Sequence, residues 1–556
     1  MNTLTKTSLA MGLLFSASAL AQTTLIHNLK GYTLEQGKLT QFSAIAFSDD
    51  KIEKIYQQPP TELPTQSPNI RVIDAKGQTM LPGLIDAHGH VLGWGLNLIR
   101  VDLKGSQSER AAVARVEAFR KQNPDLNWIL GRGWNQVLWP AKSFPTAKAL
   151  DKAFPDTPVW LRRVDGHAGW ANSAAMKLAG IDANTQAPDG GEIIRDGMGQ
   201  PSGVFIDNAM ALIEQQISPL TQAEQVRVLR AAMADLARLG LTSVHDAGVG
   251  HHTLAAYRQL ADEQQMPIRI YAMVAADDSQ FEQTLAKGPY RHPGSMLDIS
   301  SVKISADGAL GSRGAALLQD YSDLHGHKGL LLYKEEELKA LMHKAMQAGF
   351  QVNTHAIGDR ANKLVLDHYQ REIAKTQTKA LRHRVEHAQI LQLSDIPRFA
   401  ELGVIASMQA THATSDMNMA EDRIGPQRIK GAYAWRKLLD SGAVIAAGSD
   451  FPIESANPFF GLHASVTRQD HANRPELGWY PGEKMSLTEA LNSFTHDAAY
   501  AAHQETMIGE LRPGMKADFI LLQNDPFTMA PERLWQTQVN QTWVNGKKVF
   551  DIETGR

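Results

Sequence analysis

The sequence predicts an α/β chain built on a (β/α)8 TIM barrel, with a composite β-sandwich drawn from both termini and an insertion after the first barrel strand. Three observations carry this. Eight strand-like runs recur ahead of helical stretches between residues 84 and 484. Short alternating β segments stand at both ends of the chain, neither able to bury a core alone. The first two strands are separated by ~150 residues, far more than one βα crossover needs.

The chain opens with Lys6, an apolar stretch around Leu9 to Phe15 and the small-residue pattern Ala19-Leu20-Ala21. This reads as a signal peptide over 1–21, with a mature chain starting at Gln22 that is exported to a bacterial periplasm or secreted. Residues 22–83 hold alternating runs such as Leu25-Ile26-His27 and Ala44-Ile45-Ala46-Phe47. Residues 485–556 look alike, with Ala517 to Leu522 and a hairpin turn at Asn545-Gly546. The two pieces are expected to pair into one sandwich.

Between them, over 84–484, the expected barrel strands are Leu84 to His90, Leu241 to Asp246, Ile268 to Val274, Val302 to Asp307, Gln351 to Ala356, His383 to Ala388, Val404 to Gln409 and Val444 to Asp450. Amphipathic helices fall between strands, for instance Gln222 to Leu239 and Glu335 to Ala348, the latter closed by Gly349. The insert, about 100–220, carries Gly131-Arg132-Gly133-Trp134-Asn135, Arg162-Arg163-Val164-Asp165-Gly166-His167 and Gly190-Gly191-Glu192. Trp134, Arg163 and His167 are candidates for lining a substrate cleft; Trp134, Trp139 and His167 fit equally well as residues that pack and cap the insert.

A chain of 556 residues with 43% hydrophobic and 21% charged residues is ordinary for a soluble enzyme. A formal net charge of -3 and a pI near 6.7 provide no basic footprint for nucleic acid, and no Lys/Arg run suits an anionic membrane. The expected partner is a small molecule. With no cysteine, a metal site is restricted to His, Asp, Glu or modified Lys.

Histidines and acids gather where the strands end. Strand periodicity of two puts His88 and His90 on one face, suited to two imidazoles on one metal. Lys303 lies in the fourth strand, His355 in the fifth and His387 in the sixth, and Asp450 closes the eighth. Each alone has a bland reading: a hydrogen-bonded core histidine, an edge lysine, a helix N-cap. Their coincidence at the face where a barrel carries its active site favours one metal centre.

The motifs Leu81-Pro82-Gly83-Leu84-Ile85-Asp86-Ala87-His88-Gly89-His90, Val302-Lys303, Asp307 to Arg313, Thr354 to Asp359, Arg384-Val385-Glu386-His387, Gly448 to Pro452 and Gly509 to Asp518 span the chain beyond the leader. On them the sequence resembles the amidohydrolase superfamily, and more closely its family 3 branch of N-substituted formamide deformylase-like enzymes. The resemblance implies two divalent ions, zinc being the expected metal for four imidazoles and a carboxylate. It implies that His88, His90 and Asp450 hold the more buried ion, that His355 and His387 hold the other, and that a carboxylated Lys303 bridges both. The implied activity is hydrolysis of a carbon-nitrogen bond other than a peptide bond by a metal-bridged hydroxide, with Asp450 as the catalytic proton carrier. Arg313 joins the substrate-binding candidates, or else pairs with Asp307.

A deaminase of the same superfamily uses a His-x-x-Glu arrangement, whereas His355 is followed by Ala356-Ile357-Gly358-Asp359. Esterase chemistry at the same centre remains an alternative. A catalytically inactive binding protein is the third, against which all six ligand positions are filled. Related families commonly dimerise, so a homodimer is the assembly to test for.

Overall fold

The computed structural model describes residues 22–35, 37–64, 69–124 and 126–555. The expected signal peptide lies outside the described residues. The barrel strands are β1 (Leu84–Gly89), β2 (Leu241–Val249), β3 (Arg269–Ala275), β4 (Leu297–Ser305), β5 (Gln351–Ala356), β6 (Arg384–His387), β7 (Ile405–Gln409) and β8 (Ile445–Gly448). They pair in chain order, every neighbouring pair parallel. Covered on both faces, these strands are buried almost throughout; β3 is buried at every position.

The sheet closes where β8 returns to β1. Asp450 N–H donates to His88 O at 2.7 Å and His90 N–H to Phe451 O at 2.8 Å. Asp86 staples the seam, accepting the Ser449 hydroxyl at 2.6 Å and the His88 N–H at 3.0 Å. The approach requires glycine at 448, where a Cβ would come within 2.5 Å of His88 N.

Helices cover the outside. α1 (Gln222–Arg238) starts in a Thr221/Glu224 capping box and turns Leu229, Met233 and Leu236 inward. α2 (Glu335–Gln347) opens with three glutamates at the positive end of its dipole and stops ahead of Gly349, whose φ of +81° is the left-handed cap the sequence predicts.

The insert forms a six-stranded sheet from Val101–Asp102, Ile129–Trp134, Val159–Arg163, Ala168–Ala171, Gly191–Arg195 and Pro201–Asp207. Trp134, Trp139 and Trp170 pack together in its core.

At the barrel's side stand a four-stranded sheet of N-terminal strands and a six-stranded sheet in which Thr79–Pro82 pairs antiparallel with Phe519–Leu522, so the two ends of the chain share one sheet. Ile26, Phe47, Phe519 and Trp543 fill the space between the sheets. The expected C-terminal sandwich segment is helical at its start: Ala498, Ala499 and Ala501 pack against Ile85, Ile405 and Ala446 of β1, β7 and β8, because Leu487–Ser493 and His496–Ala501 are helices that belong to the barrel. Among the described residues no helix is long and apolar enough to cross a membrane.

Candidate metal centre

The period of two along β1 aims Asp86, His88 and His90 the same way. His88 is fully buried, while the His90 side chain is one-third exposed. Lys303 rises from β4, His355 from β5, His387 ends β6, and Asp450 follows β8. Asp450 and His387 take left-handed backbone conformations, with φ of +59° and +72°. Non-glycine residues held there cost about 1–3 kcal/mol, a strain that gathers at functional sites.

The rings are oriented by partners on their far nitrogens. His88 Nδ1–H donates to Glu386, His90 Nδ1–H donates to Ala247 O at 2.8 Å, and His387 Nδ1–H donates to Gln409 Oε1 at 2.8 Å. The Gln409 amide is turned for this, since its NH2 donates to Ser407 O at 3.3 Å. In the tautomer these partners select, a ring presents a bare Nε2. His90 Nε2 lies 3.0 Å and His88 Nε2 3.5 Å from Asp450 Oδ1. Lone pairs on nitrogen and carboxylate oxygen face one another with no proton between them, an arrangement that a cation resolves. Lys303 Nζ stands 3.2 Å from His88 Nε2. His355 Nε2, His412 Nε2 and Asp450 Oδ1 are buried without a hydrogen-bond partner among the described residues. The donor set of imidazole and carboxylate fits divalent ions.

Electrostatics keep the donors in ligating form. Burial, aided by the Lys303 charge, pushes His88 down to about 4. Burial and neighbouring imidazoles hold His387 well below the ordinary histidine value, and burial also lowers His355. For Asp450, burial is outweighed by the neighbouring His90, His88 and His387 rings, so the carboxyl lies well below its usual range. Glu386 is likewise buried yet lowered, because Arg384 and His88 outweigh desolvation. Arg384 Nε reaches Glu386 Oε1 at 2.7 Å with both side chains sealed from solvent. Burial also lowers the Lys303 pKa.

A cavity of about 420 Å³ opens over this centre, lined by His355, His387, Asp450 and residues of the insert. His167 reaches into it with its ring 5.4 Å from that of His355, and Asp207 Oδ1 accepts its Nδ1–H at 2.6 Å. Burial opposes protonation of His167, but Asp207 outweighs it and the pKa rises. Arg163 also lines the cavity, although its guanidinium is already engaged by Asp165, by Gln136 at 2.8 Å and by Asn135 at 2.9 Å.

Two candidates fall elsewhere. Trp134 is a core residue of the insert, 0% exposed, with its indole N–H donated to Leu161 O at 2.7 Å. A register shift between Arg132 and Trp134 turns the ring away while Gly133 and Asn135 line the cavity. Arg313 pairs with Asp323 at 2.9 Å rather than with Asp307, because a φ of +63° redirects the chain at that position. Asp307 instead accepts backbone N–H groups of Ala316, Ile357 and Gly358, and its Oδ1 lies 3.4 Å from His355 Nε2.

The sequence reading missed His412. It sits on α3 (Ala410–Asp416), directly after β7, with Nε2 3.5 Å from Asp450 Oδ2. His387, His412 and Asp450 bring ligand atoms within 4.8 Å of one another, as do His88, His90 and Asp450. Its place just beyond an expected strand end was the available signal.

A family model described as the amidohydrolase family matches residues 71–550. YtcJ of Bacillus subtilis is 33% identical over 493 residues, spanning 87% of this chain and 91% of that protein. N-substituted formamide deformylase of Arthrobacter pascens is 28% identical over 495 residues, spanning 86% and 90%. The crystal structure of an uncharacterized metal-dependent hydrolase from Pyrococcus horikoshii superposes with a TM-score of 0.74 at 28% identity, covering 92% of this chain and 99% of that one.

Proposed function

The chain belongs to the amidohydrolase family, and from that premise we propose that this metal-dependent hydrolase cleaves the carbon-nitrogen bond of a small N-acyl or N-formyl amide. The observation that carries the reading is the convergence of bare imidazole nitrogens on the Asp450 carboxylate. His88, His90 and Asp450 would hold one ion and His355 and His387 a second, with Lys303, as its carbamate, between them. Ions bound there supply Lewis acidity, lowering the pKa of water and polarising a carbonyl.

The chain's own groups do the rest. Asp450, an ionised carboxylate at the cavity floor, takes the proton from the attacking water and returns it to the departing nitrogen. Glu386 fixes the His88 tautomer, as Gln409 does for His387. His167, whose protonation Asp207 favours, faces the cavity beside His355 and would steady the carbonyl oxygen as negative charge develops.

Val137, Leu138, Met417 and Met419 form an apolar side to the cavity, suited to an apolar substituent on the amide nitrogen. The relative named for deformylating N-substituted formamides supports that substrate shape. The deciding experiment offers zinc-loaded protein N-benzylformamide, N-benzylacetamide, matched esters and dipeptides. Turnover of the formamide or acetamide in preference to esters and dipeptides is expected. Preference for a dipeptide or ester would replace this reading.

A further inference from the structure

A second cavity, of about 430 Å³, lies between the insert and the barrel and is lined by Arg100, Arg132 and Arg162. It shares no lining residue with the cavity over the metal centre, although the strand Ile129–Trp134 borders both: Gly131 and Arg132 face this one and Gly133 the other.

The positive charge here is under-compensated. Glu214 also lines the cavity, but its oxygens accept from Arg162 Nε and Nη2, both at 2.7 Å, and from Trp160 Nε1 at 3.0 Å. Asp278 is engaged as well, accepting the His251 N–H at 3.0 Å and His251 Nδ1–H at 2.9 Å. Neither carboxylate accepts a hydrogen bond from the other two arginines among the described residues; Glu214 acts on Arg100 and Arg132, and Asp165 and Asp450 on Arg132, only through space. Arg132 donates one hydrogen bond, to Val164 O at 3.1 Å, and its Nε is buried without a partner. Arg100 has neither hydrogen bond nor ion pair among the described residues. Burial, with Arg162 adding repulsion, pushes Arg100 and Arg132 each down to about 10. Planar guanidinium groups with N–H donors left unpaired by the protein are a carboxylate receptor.

The remaining wall selects what the carboxylate is attached to. Leu96, Leu130, Trp160, Ile217 and Leu220 present apolar surface beside the arginines. A dianion such as phosphate would leave that surface unused and would meet Glu214 and Asp278, whereas a single negative charge with an apolar body satisfies both sides. We propose that this cavity binds an organic carboxylate with an apolar body, its carboxylate held by Arg100 and Arg132 and its body set against Leu130, Trp160 and Leu220.

Titration calorimetry of the metal-loaded full chain with phenylacetate tests this. Because carboxylates also ligate metal ions, the readout is the difference between the unaltered protein and Arg100→Leu, whose side chain lines only the second cavity. Binding should weaken about tenfold or more in that variant, the loss of one charge-assisted interaction. 2-Phenylethanol, with the same body and no charge, and inorganic phosphate, with charge and no body, should both bind more weakly than phenylacetate. The Arg100 side chain is partly buried and makes no hydrogen bond or ion pair among the described residues, so its replacement removes no polar partner. Arg100→Gln provides a second variant, and an unchanged melting temperature checks that each is folded. Equal affinity in the unaltered protein and both variants, or no binding at all, would overturn the proposal. Phosphate binding as tightly as phenylacetate would overturn the assignment to an organic acid.

Discussion

Glu386 receives the Nδ1–H of His88 across the barrel, and neither side chain has any solvent-exposed surface. The carboxylate is itself anchored by Arg384, whose guanidinium also reaches Ala87 O at 2.6 Å and Ser407 Oγ at 2.8 Å. A group that never touches a metal thus decides which nitrogen of His88 is free to do so. Glu386→Gln keeps the shape and removes the charge. Metal affinity should fall about 10- to 100-fold, read as ion content per chain after dialysis against a weak chelator. Full retention of metal would assign Glu386 to packing alone.

Acid should destabilise the protein before its exposed carboxylates matter. His88 and His463 are held down at about 4 and His383 at about 3, burial being the largest cause in each. The unfolded chain binds these protons near pH 6.5 and the folded chain does not, so these histidines lower stability as pH drops from about 6.5 toward 4. They act against the opposite contribution of Asp86 and Asp246, whose carboxyls burial raises to about 7 and about 6. Each unit of difference at fully buried His88 corresponds to about 1.4 kcal/mol. Denaturation midpoints of metal-free protein across that range should fall, and His88→Gln should flatten the profile. A midpoint independent of pH in the unaltered protein would contradict the assignment.

Lys303→Ala should lose metal and most turnover, and short carboxylic acids should restore part of both by occupying the vacated bridging position. Lys303→Arg should do no better, since guanidinium stays charged and forms no carbamate. Two ions per chain and near-normal turnover in Lys303→Ala would leave the lysine without a bridging role.

Trp134 and Leu138 separate packing from recognition. Trp134→Ala removes a fully buried indole and should cost about 3–5 kcal/mol of stability. Leu138, 40% exposed at the cavity wall, should on substitution by Ala raise KM for an apolar amide with little change in melting temperature. The reverse pattern would place the cleft elsewhere.

Mass spectrometry of protein recovered from its native cell should find a chain beginning at Gln22 in an exported fraction. An intact Met1 in the cytoplasm would refute export.

The barrel was legible because β strands buried on both faces write near-continuous apolar runs, and the strands from Leu84 to Gly448 lie close to where those runs predict them. Asp450, His355 and His387 were legible as strand-end residues for the same reason. Trp134 was legible only as one of two readings, because a bulge marked by Gly133, at a φ of +111°, breaks the two-residue period that would have fixed which way the ring points. Arg313 lies in a long loop with no period at all, where one positive φ decides its partner. His412 was missed because α3 carries it past the strand end, a turn beyond where strand counting stops.

The Asp86–Ser449 staple joins residues 363 positions apart in the chain. During synthesis the first two histidines of the cage emerge long before Asp450, so a growing chain offers an ion only a fraction of its eventual ligands. Neither β1 nor its histidines can take their final places until β8 arrives to close the seam. Metal acquisition is therefore an event in the life of the finished chain, occurring in whichever compartment folding is completed, and the metal supply of that compartment sets which ion the enzyme carries.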